Sequence, residues 1–101
     1  MRRLGAEADA YAFGMKVTFQ WPAGNEVDVD AAPEVLMTLR RELDRRGAYT
    51  AVDFLDRIFH GVDSRLVVIG RDEEQRFRDA VVGAQTATGD GNGWAAPLLG
   101  A

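Results

Sequence analysis

Three carboxylates stand two residues apart in WPAGNEVDVD, residues 21–30: Glu26, Asp28 and Asp30. On an extended strand that spacing puts all three on one face. Such a row could offer oxygens to a hard cation, which takes six or more, or it could meet a basic partner. With Val27 and Val29 turned to a core, the same pattern is the ordinary wet face of a half-buried strand. The sequence favours the wet face. Of the two functional readings it favours the basic partner over a metal-dependent module or small enzyme built on the row.

His60 is the sole histidine. A general base needs the reacting proton within hydrogen-bond reach. No serine has an expected place beside it, and the chain has no cysteine. At a helix C-terminus its charged form gains from the dipole, and that is the role expected. Gly70-Arg71-Asp72 joins a strand to a helix, a junction where phosphates bind in many folds. The glycine-rich spacing is missing, and Asp72, Glu73 and Glu74 put negative charge where an anion would sit. No phosphate site, cofactor or metal is expected.

Arg40, Arg41, Arg45 and Arg46 form a basic cluster diluted by Glu42 and Asp44. Arg41 and Arg45 share the outer face of the expected helix, either simply solvated or meeting an acidic partner. Trp94, Leu98 and Leu99 form a short apolar motif near the end of the chain. It can dock on a partner or fold back on its own domain.

These groups need elements to position them. The 101 residues suit one small domain, 47% hydrophobic and 28% charged, with net charge −4. No apolar run is long enough for a membrane span. Met1-Arg2-Arg3 resembles the start of a signal peptide, but Glu7 and Asp9 interrupt the apolar stretch such a peptide needs. The absence of cysteine fits the cytoplasm. The net negative charge argues against nucleic acid, whose binders carry a basic face.

Residues 1–14 show no period, and Met15 reads as a second beginning, so this stretch is expected to be a dispensable extension. Lys16 to Trp21 and Glu26 to Asp30 both alternate, and Pro22-Ala23-Gly24-Asn25 between them has turn chemistry. Together they predict a β-hairpin. Asp30 is placed to cap a helix whose stripe is Val35, Leu36, Leu39 and Leu43, ending at Gly47. Thr50 to Asp53 suggests a capping box for a second helix carrying Val52, Phe54, Leu55, Ile58 and Phe59. That stripe is wide enough to touch two elements. Leu66-Val67-Val68-Ile69 is apolar on both sides, a third strand. Asp72 and Gln75 open a third helix with Phe77, Ala80, Val81 and Ala84 inside. Residues 86–101, rich in Gly, Ala and Thr, read as a flexible tail.

The expected architecture is a small two-layer α+β domain over residues 15–85, in the order β-β-α-α-β-α. Its three-stranded sheet has the order 2-1-3, with a crossover to a parallel third strand and helices on one face. Phe19, Trp21, Val29, Leu39, Leu55 and Val68 are expected in the core. MKVTFQWPAGNEVDVDAAPEVLMTLRREL, residues 15–43, resembles the opening of a ubiquitin-like β-grasp domain, a hairpin and then a helix across it. That resemblance implies further strands and little further helix, and the rest of the chain departs from it. Carriers of that family end in Gly-Gly, whereas Leu99-Gly100-Ala101 stands here. The sequence of a strand, two short helices and a strand in a small acidic chain also resembles barstar-like inhibitors, without a specific motif. Neither family is assigned.

The sparse catalytic equipment points to a protein-binding adaptor, inhibitor or regulatory subunit. Order 2-1-3 leaves Leu66 to Ile69 on an edge without a charge to guard it. A second copy, giving a homodimer, is the expected cover; the tail is the other candidate.

Overall fold

The structure is a computed structural model and describes residues 14–61, 64–89 and 93–100. Apart from Gly14, the expected N-terminal extension lies outside the described residues. Strands β1 (Met15–Gln20) and β2 (Glu26–Ala31) pair antiparallel, from Met15 opposite Ala31 to Gln20 opposite Glu26. The turn between them closes through Trp21 N–H on Asn25 O and Gly24 N–H on Trp21 O, with Gly24 at φ +106°. That φ is easy only for glycine. Strand β3 (Leu66–Val68) lies parallel to β1, and the sheet order is β2-β1-β3, as expected.

Helices α1 (Pro33–Arg46) and α2 (Tyr49–Phe59) make the crossover, and α3 (Glu74–Thr88) follows a 3-10 turn at Arg71–Glu73. Leu36, Leu39 and Leu43 of α1 are buried, one turn apart, and Gly47 ends the helix at φ +89°. The wide stripe of α2 does touch two elements, α1 and β3. Val17, Phe19, Trp21 and Val29 of the sheet meet the helices in one core. The Phe77 ring of α3 stands 5.6 Å from Phe19 and 5.3 Å, edge-on, from Trp21, a geometry aromatic rings prefer. The Trp21 indole N–H is buried with no acceptor among the described residues, and the Arg78 guanidinium lies 4.3 Å from the centre of its ring.

Several local expectations are corrected. Val68 is only half-buried, while Val67 and Ile69 are buried. Phe19 pairs with Val67, so Val67 shares the core face and period two turns Leu66 and Val68 the other way. Asp30 does not cap α1; β2 runs on to Ala31, and Ala32 holds the N-cap position with no side-chain bond. Thr50 does not open a capping box, because α2 already begins at Tyr49. Asp72 is absorbed in the 3-10 turn, and Gln75 donates to Asp79 instead.

The tail also differs. Helix α3 continues to Thr88, and a short helix α4 (Ala96–Leu99) follows. Trp94 is 3% exposed, and Ala95 and Leu98 are fully buried, with α4 against β2 and α3. Burying a tryptophan and a leucine on an existing apolar surface outweighs the weak helical propensity of this stretch.

Candidate functional site

With the helices on one face, period two leaves a second face of the sheet that no described helix covers. The register writes its residues in rows. Asp28, Thr18 and Leu66 lie side by side, as do Glu26, Gln20 and Val68, and Asp30 stands beside Lys16. Adjacent strands are about 4.8 Å apart, so the acidic edge and the apolar edge are separated by about 10 Å. Glu26, Asp28 and Asp30 are all exposed. The Thr18 hydroxyl donates to Asp28 Oδ1 at 2.7 Å, fixing one of the three carboxylates.

The row does not converge on a point, because same-face neighbours on a strand are about 6.5–7 Å apart. Among the described residues no cluster of three His, Asp or Glu side chains could hold a metal ion. The three carboxylates are spread along the strand and do not form a ligand cage.

The basic cluster divides. Arg40 turns to α2, where its Nε and Nη2 donate to the two carboxylate oxygens of Asp56 at 2.7 and 3.1 Å. Arg45 and Arg46 both reach Glu42, at 3.0 and 3.2 Å. Partial burial pushes the Glu42 carboxyl up, but the hydrogen bonds from Arg45 and Arg46 together with their charge outweigh it and hold it below its ordinary value. Arg41 and Arg45 are exposed on α1. The structure does not bring them near the acidic row; they belong to the opposite layer. Glu42, Arg45 and Arg46 face Asp79, Val82 and Gly83 of α3 across an open groove of about 460 Å³. Its charges are mixed, and the groove selects no ligand of one sign.

His60 is the C-cap of α2, with Nδ1 2.6 Å from the Asp56 carbonyl oxygen, so its ring serves the helix end. Trp94 and Leu98 are buried in the chain's own core, and Leu99 is left at the surface. The edge strand is shorter than the apolar run suggested. Thr18 N–H donates to Arg65 O and Ile69 N–H to Gln20 O, so the amides of Leu66 and Val68 point outward. The Leu66 N–H finds Ser64 Oγ at 3.3 Å.

A small cavity of about 60 Å³ adjoins this edge, lined by Phe54, Arg57, Ser64 and Leu66. The Arg57 guanidinium lies 4.6 Å from the centre of the Phe54 ring. Sequence reasoning missed Arg57, Phe54 and Ser64 as a group. The only signal was the i,i+3 spacing of Phe54 and Arg57 on a helix preceding an edge strand. No protein-family model, no curated protein and no solved structure matches the chain.

Proposed function

We propose that this chain is a protein-binding module with no reaction of its own, an adaptor, inhibitor or regulatory subunit, and that the acidic face of its sheet meets a basic partner. One observation carries the reading: three exposed carboxylates stand side by side on a sheet face that no described helix covers. Charges arranged in this way steer an oppositely charged partner and fix its register. Leu66 and Val68, half-buried at the far edge of the same face, add apolar area where a partner could anchor. The engagement of His60 in helix capping supports the non-catalytic reading. The cysteine-free composition fits a cytoplasmic setting.

A titration tests this. The isotopically labelled chain is mixed with a peptide of alternating lysine and isoleucine, and amide shifts are followed. Shifts confined to Thr18, Glu26, Asp28 and their neighbours, weakened by salt, support the reading. Shifts on α1 and α3 with the sheet silent would overturn it.

A further inference from the structure

We infer that the β3 edge is a second docking site, which takes an extended acidic segment of a partner protein as a fourth strand. Three features meet there. First, the backbone groups of Val68 and the carbonyl of Leu66 point away from the sheet. Edge groups of this kind, which no described residue pairs, template the addition of a strand. Second, the cavity between Phe54, Ser64 and Leu66 lies beside the first outward-facing residue of the strand. In strand addition the main chain supplies affinity, and pockets for alternate side chains supply specificity. This one has room for a single small apolar group. Third, the cations at the cavity and the strand entry are Arg57 and Arg65, both exposed, and neither is in an ion pair among the described residues.

That charge selects the occupant. A segment alternating apolar residues with Asp or Glu would place an apolar side chain in the cavity and a carboxylate within reach of Arg57 or Arg65. A planar guanidinium pairs well with a carboxylate. A twin β3 from a second copy fits less well. Antiparallel pairing in the central register would bring Arg71 of that copy to the end where Arg57 and Arg65 stand. The Leu66 N–H, resting on Ser64 Oγ, would exchange that long contact for a partner carbonyl. The site lies on the edge opposite the acidic row and has the opposite charge, and Leu66 and Val68 border both surfaces.

The test uses the full chain, labelled for amide detection, and a synthetic peptide of alternating aspartate and isoleucine. The expected result is a shift of the Leu66 and Val68 amides, with exchange of the Val68 amide slowed by about tenfold or more. Arg57→Ser should weaken the peptide by several-fold. Val68→Pro should abolish the shifts while leaving the rest of the spectrum in place, because the lost N–H faces outward. An alternating lysine–isoleucine peptide that binds this edge equally well would overturn the charge assignment. The same shifts appearing with protein concentration alone would make a second copy the occupant and overturn the proposal. Absence of any effect at millimolar peptide would also overturn it. Slowed exchange of the Val68 amide is read in every arm, because a peptide on the acidic face shifts neighbouring signals but does not pair that outward N–H.

Discussion

The carboxylate of Glu73 accepts a hydrogen bond from the backbone N–H of Thr50 at 3.0 Å, although 23 residues separate them. The first N–H groups of a helix have no partner within the helix. Here the cap for α2 comes from the turn that precedes α3. Gly70 makes room for it: a Cβ there would stand 2.8 Å from Glu73 Oε1 and 2.9 Å from Thr50 Oγ1. Arg76 ties the same junction from the other side, donating to Gly47 O at 3.1 Å and to Asp72 O at 3.0 Å. Glu73→Ala should therefore cost about 0.5–2 kcal/mol, the range for a lost N-cap, and Glu73→Gln less. Urea melts of the two variants check this; equal stability of Glu73→Ala and the parent chain would show that the cap does not form.

Gly14 sits at φ +70°, and a Cβ would come 2.4 Å from the backbone of Ala31. Neither the conformation nor the clash with rigid backbone is easily relieved. Gly14→Ala should destabilise by on the order of 3 kcal/mol, read as a drop in the urea midpoint. A change below about 0.5 kcal/mol would mean that the chain enters β1 by another path.

Trp94 belongs to the core, so Trp94→Ala should cost about 3–5 kcal/mol, as for other buried aromatic truncations. Its fluorescence should be that of a shielded indole, resisting a soluble quencher. Free quenching together with unchanged stability would contradict the packing of α4 against β2.

The Arg40–Asp56 pair gives a pH signature. The hydrogen bond from Arg40 is the largest influence on Asp56 and lowers its pKa; partial burial raises it less, and the charges of Arg40 and His60 lower it further. A folded-state pKa below the unfolded one gives stability that is present above the unfolded value and lost as pH falls through the folded value. Both side chains are about one-third exposed, so solvent screening holds the contribution to about 0.5–1 kcal/mol. The stability difference between the parent and Asp56→Asn should be full near neutral pH and shrink under acid, below the ordinary carboxylate range. A difference independent of pH would show that the pair contributes nothing through charge.

The sheet and the helical stripes were legible in the sequence because burial imposes a period. Val17, Phe19 and Trp21 alternate, and Leu36, Leu39 and Leu43 recur by turns. The parity of β3 was not legible. Leu66 to Ile69 is apolar throughout, so only its register against Phe19 decides that Val67 is inside and Val68 is outside. The caps were misread for a related reason: local Ser, Thr and Asp patterns suggest local caps, whereas Glu73 caps α2 from a distant turn. The acidic row was legible as a strand face. Its lack of a described helical cover depends on where the helices settle. The cavity beside β3 joins residues from α2 and from the strand entry, and no single window of sequence contains its shape.

The most direct measurement is photo-crosslinking in the native cells, with Asp28 replaced by a photoreactive phenylalanine in one strain and Arg41 in another. The two positions lie on opposite layers of the domain, and both are exposed. If the acidic sheet face is the interaction surface, position 28 gives a discrete crosslinked species whose partner is basic at the contact, and position 41 gives none. A discrete species from position 41, with position 28 silent, would contradict the assignment of the acidic face.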